Sequence, residues 1–135
     1  VRAAAHPDVT ALSAMPLEVF TAVLARAAVA VTNNSGPLHL ADAVGTPVVA
    51  VYAGTERPGD MAPRDVPARL LGVPVPCAPC RQLTCPFDHS CVAVAAQEVA
   101  AAALTLAAQH HREPVSHAAG RFREDRWGTP TVPPN

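Results

Sequence analysis

Aromatic residues are scarce in this 135-residue chain, at 4% of the sequence, and charged residues make up only 16%. So few aromatic rings leave few platforms on which exposed nucleobases could stack. The formal net charge of −1 gives no basic surface of the kind that nucleic-acid binders present. The sequence also lacks an apolar run of roughly 18–20 residues and a signal-peptide pattern. These absences exclude a nucleic-acid partner and a transmembrane segment, and they predict a cytoplasmic protein.

Hydrophobic residues, mostly Ala and Val, make up half of the chain and indicate a folded core. The length suits one domain, since domains mostly contain about 100–150 residues. We assign residues 1–111 to this domain. Residues 112–135 carry prolines, mixed charges and the only Trp of the chain, and their apolar residues show no periodicity. This composition predicts a Pro-rich flexible tail.

Helix and strand patterns alternate along the domain. Apolar residues at three- and four-residue steps predict a helix over 16–28 with one buried face, followed by a strand at 29–31. A second helix is expected over 37–44, ended by Gly45, and an apolar run at 46–52 predicts a strand buried on both faces. A further strand at 68–73 and an Ala-rich helix over 92–109 complete an α/β domain with a parallel, Rossmann-like sheet.

The turn between the first strand and the second helix contains the residues with the most specific chemistry. Asn34 or Ser35 can cap the helix, and Pro37 suits its first turn. A loop of small residues there directs free backbone N–H groups towards an anion above the sheet. Gly36 allows close approach to the backbone, and His39 lies one helical turn further on.

This turn is open to a plainer interpretation. The same four residues, from Asn34 to Pro37, make a good cap and turn whether or not a ligand binds. His39 taken alone can equally be a packed histidine.

The run from Val31 to Tyr52 (VTNNSGPLHLADAVGTPVVAVY) resembles the signature of glycosyltransferase family 9, the heptosyltransferase family. The following Ala53-Gly54-Thr55 and the later cysteine segment fit the same family, so the resemblance covers roughly residues 16–108. It implies a GT-B enzyme with two Rossmann-like domains, in which this chain is similar to the C-terminal, donor-binding half. The implied donor is a nucleotide sugar resembling ADP-heptose, and the implied acceptor is a glycan or glycolipid at the inner membrane face.

The resemblance also implies roles for individual residues. Ser35, Gly36 and His39 match the positions that contact the donor phosphates in the family. Asn34 matches a position that contacts sugar hydroxyls and is Asp in many members, which leaves the identity of the sugar open.

The loop after the second strand supplies further candidates. Thr55 and Glu56, with Arg57, are placed to contact ribose or phosphate. Charged residues in an exposed loop are also often simply solvated, so both interpretations stand.

Family membership would imply an inverting transfer without a catalytic cofactor, in which a base activates the acceptor hydroxyl. In the family that base lies on the N-terminal domain. No second Rossmann-like unit fits into 135 residues, and residues 1–15 resemble the remnant of a preceding loop. The sequence therefore predicts a fragment without a catalytic residue, inactive alone, whose acceptor half is absent or on another chain.

Four cysteines lie within fifteen residues, at Cys77, Cys80, Cys85 and Cys91. Four thiolates in one loop suit a tetrahedral structural zinc, with His89 able to replace one of them. An iron–sulfur cluster fits the spacing less well. Reduced structural thiols or disulfides remain alternatives.

A second function class is a binding module that keeps the nucleotide site without catalysis, or uses a metal-dependent interaction surface. A dinucleotide-binding oxidoreductase is disfavoured, because no Gly-x-Gly-x-x-Gly follows a predicted strand.

Overall fold

The computed structural model describes residues 6–82 and 84–110. Its helices are α1 (Leu17–Ala25), α2 (Gly36–Ala43), α3 (Pro58–Met61) and α4 (Ala96–His110), and its strands are β1 (Ala30–Asn33), β2 (Val48–Val51) and β3 (Ala68–Leu71). A short 3-10 turn covers Ser90–Val92. The tail predicted for residues 112–135 lies outside the described residues.

The three strands form one parallel sheet in the order β1-β2-β3. Val48 in the central strand pairs with Ala30 on one side and with Ala68 on the other. Because parallel strands point the same way, the loops that follow them emerge at one edge of the sheet. The predicted α/β class with a parallel sheet is confirmed, and the unit is consistent with a Rossmann-like fragment.

The core forms around β2, whose residues Val48, Val49 and Ala50 are all fully buried. Successive side chains of a strand point to opposite faces, so both faces of β2 are covered. On one face, Val48 and Ala50 pack with Leu38 and Ala41 of α2, which are equally buried. The strand predicted to be buried on both faces is therefore present.

Helix α4 contacts all three strands. Its only buried residue is Leu106, while Val99, Ala102 and Ala103 are half-buried on the face predicted from their spacing. The helix begins at Ala96, four residues later than expected. The segment before it, Ser90–Val92, forms the 3-10 turn instead.

Helix α1 differs from the prediction in having no buried residue. Phe20 and Leu24 are half-buried, whereas Leu17, Val19 and Val23 are exposed to 62%, 46% and 41%. The physical reason is that α1 packs mainly on α2 rather than on the sheet, so only a narrow strip of its apolar surface is covered.

Helix α2 ends as the sequence predicted. Gly45 adopts a φ of 81°, a left-handed conformation that glycine accepts without strain from a side chain. Its N–H donates to the carbonyl of Asp42, and the N–H of Thr46 donates to that of Ala41. This pair of bonds is a Schellman motif, which delivers the chain directly into β2.

The segment over 53–67, which connects β2 to β3, contains the short helix α3. Two side chains from the core region hold it. The hydroxyl of Tyr52 donates to the carbonyl of Met61 at 2.8 Å. The carboxylate of Asp42 accepts the N–H groups of Arg64 and Asp65, both at 3.0 Å.

Candidate functional site

The predicted site lies where β1 runs into α2, at the edge of the sheet that carries the carboxyl ends of the strands. Asn34 is half-buried there, and its Oδ1 accepts a hydrogen bond from the backbone N–H of Ala53 at 3.4 Å. Ala53 follows β2 after one residue, so this bond joins the loops after β1 and β2. Ala53 could not be predicted from the sequence as a partner of Asn34, because every residue except proline has a backbone N–H and the bond depends on the fold.

Ser35 occupies the N-cap position of α2 with extended backbone angles, φ −147° and ψ −178°. The predicted cap is wrong in one respect, since its side chain makes no capping hydrogen bond. The hydroxyl instead lies 3.5 Å from the carbonyl oxygen of Asn33, at the limit of a hydrogen bond. This backbone conformation is the usual one for an N-cap residue, so a rotation of the Ser35 side chain alone would bring its hydroxyl to a ligand or to the helix N-terminus.

Gly36 begins α2, and Pro37 follows in its first turn as predicted. No atom lies within 4 Å of the position that a Cβ on Gly36 would take, apart from its neighbours in the chain and helix. The fold itself therefore does not require a glycine there. Open space beside a helix N-terminus is what an approaching anion needs.

His39 is exposed on α2, one turn after Ser35. The alternative interpretation, in which His39 is packed against other residues, therefore does not hold in this structure. Ser35, Gly36 and His39 lie together at the exposed beginning of α2, and no residue from Asn34 to His39 carries a negative charge that would repel an anion. The arrangement can donate backbone and side-chain hydrogen bonds to a phosphate group.

The loop after β2 carries the other candidates. Thr55 is half-buried, whereas Glu56 and Arg57 are exposed. Arg57 is the residue before the first turn of α3. The bond between Asn34 and Ala53 brings the beginning of this loop next to the Asn34–His39 turn.

A cavity of about 290 Å3 lies between this loop and the end of β3. Glu56 is the one site candidate in its wall, and Ser35, Gly36 and His39 are not part of it. The lining is mostly apolar and includes Tyr52, Gly54, Leu70, Gly72, Val73 and Ala78. The predicted anion contacts at Ser35, Gly36 and His39 therefore lie on the protein surface at the beginning of α2, outside this cavity.

The four cysteines are free and half-buried. Among residues 6–82 and 84–110, no three His, Cys, Asp or Glu side chains come together as a set of metal ligands. Cys85 Sγ accepts the backbone N–H of Phe87 at 3.3 Å, a contact within its own turn. The arrangement of the thiols does not fit a tetrahedral metal site, and zinc at Cys77, Cys80, Cys85 and Cys91 stays a prediction from spacing.

Comparison with known families decides the class of protein. The profile of glycosyltransferase family 9 (heptosyltransferase) matches residues 2–91, two thirds of the chain. The chain belongs to glycosyltransferase family 9. The matched residues include β1, α2, β2 and all four cysteines.

Two curated relatives are lipooligosaccharide heptosyltransferase 2 from Campylobacter jejuni. The one from serotype O:2 (strain ATCC 700819 / NCTC 11168) is 34% identical over 59 residues, and the one from serotype O:6 (strain 81116 / NCTC 11828) is 32% identical over 59 residues. Each match covers 44% of this chain but only 18% and 19% of the relatives. No solved structure matches the chain.

Within residues 6–82 and 84–110, no helix is long and apolar enough to cross a bilayer.

Proposed function

We propose that this chain binds the nucleotide-sugar donor of a family 9 glycosyltransferase, with the donor diphosphate at the beginning of α2. The observation that carries the proposal is the exposed N-terminus of α2, where Ser35 makes no side-chain cap and the backbone N–H of Gly36 can meet a ligand. Pro37 has no N–H, and the N–H of Leu38 already donates to the carbonyl of Ser35 at 3.0 Å, so Gly36 would supply the backbone donor. A helix N-terminus favours a phosphate by its partial positive charge as well as by such an N–H group. Membership of glycosyltransferase family 9 supports the proposal that this phosphate is part of an activated sugar.

Three residues would act on the diphosphate. Gly36 leaves room for the phosphate to approach the backbone. The hydroxyl of Ser35 donates a hydrogen bond to a phosphate oxygen. His39 reaches the same group from the next turn of the helix. In an inverting transfer, negative charge grows on the departing nucleoside diphosphate, so these donors would stabilise the transition state more than the ground state.

The loops around this turn would bind the rest of the donor. Asn34 would contact sugar hydroxyls through its amide NH2 group, since its Oδ1 is already bonded to Ala53. Thr55 and Glu56 would contact the ribose or a phosphate. We expect an ADP-heptose-like donor, because the curated relatives are heptosyltransferases.

The catalytic base and the acceptor site would lie outside these 135 residues, on the N-terminal domain of a GT-B enzyme. The acceptor would be a glycan or glycolipid reached from the cytoplasmic side of the inner membrane. No step here requires a metal or a cofactor. The chain by itself would then bind the donor without transferring sugar.

Isothermal titration calorimetry with ADP, UDP and ADP-heptose tests this proposal. We expect the adenine nucleotides to bind and His39→Ala to weaken them by about 1.5–3 kcal/mol, which is roughly tenfold or more in Kd. His6→Ala removes an exposed histidine from the segment before α1 and is the control. Absence of nucleotide binding, or equal binding by His39→Ala, would exclude the site.

A further inference from the structure

The cysteine segment, defined here as residues 75–82 and 84–91, packs against the loop that follows β2. The backbone N–H of Cys80 donates to the carbonyl of Gly54 at 2.8 Å. The N–H of Arg81 donates to the carbonyl of Thr55 at 3.3 Å. Two consecutive residues of the segment therefore hold two consecutive residues of the loop.

Gly54 is the point of closest packing between the two. A Cβ on Gly54 would lie 3.3 Å from the Cβ of Ala78, 3.3 Å from the Cγ2 of Val75 and 3.4 Å from the Cβ of Cys91. These three contacts come from both ends of the cysteine segment. They show that the segment folds around Gly54, where an added Cβ would be tight enough that its neighbours must shift by a few tenths of an ångström.

The segment is also anchored to the neighbouring strand. The N–H of Val73, two residues after β3, donates to the carbonyl of Cys91 at 2.9 Å. Cys91 thus touches Gly54 with its Cβ and Val73 with its carbonyl oxygen. The segment therefore connects the chain after β2 with the chain after β3, at the ligand-facing edge of the sheet.

We propose that the cysteine segment is a clamp that positions the loop after β2 for the donor, and that Gly54 is the positioning residue on which it closes. This rests on the proposed function, because the clamped loop carries Thr55 and Glu56. The carbonyl groups of Gly54 and Thr55 are fixed by the clamp rather than by the sheet, so their placement depends on the segment. Donor binding and closure of the segment on the loop are then linked equilibria, so ADP should shift the segment towards the closed form in which its thiols are less exposed.

The first test compares two glycine variants in the full chain, with ADP as the titrant. Gly54→Ala crowds the segment, whose neighbouring atoms must give by a few tenths of an ångström, and should weaken ADP binding by about fivefold or more. Gly59→Ala is the matched control, because its added Cβ would meet nothing within 4 Å, and its affinity should equal that of the wild type. Thermal unfolding of both variants shows whether each is folded.

The second test reads the clamp directly in the wild type and needs no variant. N-ethylmaleimide modification of each cysteine is followed by mass spectrometry with and without saturating ADP. Cys80 and Cys91 should react more slowly with ADP bound, and the protection should disappear in Gly54→Ala. Cys85, whose sulfur is bonded within its own turn, should react at the same rate in both conditions and is the internal control.

The outcomes separate the two proposals. If the wild type does not bind ADP, the donor site itself is wrong and the clamp falls with it. If the wild type binds ADP but Gly54→Ala binds equally well, and ADP protects neither Cys80 nor Cys91, the donor site stands and the clamp is wrong. Weaker binding by Gly54→Ala together with ADP protection of Cys91 supports the clamp.

Discussion

The side-chain oxygen Oδ1 of Asn34 accepts a hydrogen bond from the backbone N–H of Ala53 at a distance of 3.4 Å. This single contact joins the loops after β1 and β2, which are far apart in sequence. The oxygen and the NH2 group of the Asn34 amide therefore have different roles. The oxygen holds the two loops together, and under the proposed function the NH2 group would donate to a sugar hydroxyl.

The Asn34 contact predicts different results for two substitutions. Asn34→Ala removes the acceptor and should lower the free energy of unfolding by about 0.5–1.5 kcal/mol while also weakening donor binding. Asn34→Asp retains an acceptor oxygen for Ala53 and should keep most of the stability. Urea unfolding monitored by circular dichroism measures both, with the exposed Asn33→Ala as the control. Equal stability of Asn34→Ala and wild type would mean that the contact is not formed.

Glycines at the two ends of α2 should respond to alanine in opposite ways. Gly36→Ala meets no atom within 4 Å, so its stability should change little, or rise slightly because alanine favours helix. Donor binding should nevertheless weaken, since the added methyl occupies the space assigned to the phosphate. Gly45→Ala should lose about 1–2 kcal/mol of stability because its φ of 81° strains any side chain.

Calorimetric titration with ADP, together with thermal unfolding, tests this pair. We expect Gly36→Ala to be stable but to bind ADP poorly. Gly45→Ala should be less stable but, once folded, should bind ADP normally. Unchanged ADP affinity in Gly36→Ala would place the phosphate elsewhere.

Asp42 is expected to be a structural residue of the loop before β3. Its two carboxylate oxygens accept the N–H groups of Arg64 and Asp65, both at 3.0 Å. Asp42→Ala leaves both donors without this partner and should lower the free energy of unfolding by about 1–3 kcal/mol. Asp42→Asn keeps one acceptor oxygen and should lose less. Chemical unfolding curves rank the three proteins, and an order other than wild type, Asn, Ala would contradict this role.

Tyr52 should make stability depend on alkaline pH. Burial raises the pKa of its phenol above the ordinary value of about 10, because the phenolate is poorly solvated in the core. The folded state therefore binds the phenolic proton more tightly than the unfolded state. This contribution is fully present below about pH 10 and is lost as the pH rises towards the folded-state pKa.

The sequence makes this measurement simple, since Tyr52 is the only tyrosine and all ten Lys and Arg residues are Arg. Ultraviolet absorbance of the phenolate then reports Tyr52 alone. Tyr52→Phe should abolish that titration and lower stability at neutral pH by about 1 kcal/mol, because its hydroxyl bonds the carbonyl of Met61. A phenolate signal with an ordinary midpoint in the folded protein would contradict the burial of this ring.

Local patterns were sufficient to predict much of the fold. Apolar runs identified β2 and the face of α4, and Gly45 identified the end of α2, because each depends on residues close together in the chain. The exposure of Leu17 and Val23 on α1 could not be predicted, since spacing shows that a helix has an apolar face but not how much of it a neighbour covers.

The site was predictable in composition but not in its connections. The turn from Asn34 to His39 is contiguous in sequence, so its residues could be named in advance. The contacts of Asn34 with Ala53 and of Cys80 with Gly54 involve backbone groups from other segments and depend on the tertiary fold. The missing side-chain cap at Ser35 likewise depends on the orientation of its side chain, which the residue type does not determine.

Nuclear magnetic resonance mapping of the donor on the 15N-labelled chain tests the central claim most directly. Addition of ADP-heptose should shift the backbone amides of Ser35, Gly36 and His39 most, with smaller changes at Ala53 and Thr55. Residues of α4 far from the sheet edge should be unchanged. A nucleotide that shifts no amide, or whose largest shifts lie away from the beginning of α2, would contradict the assignment of this turn as the diphosphate site.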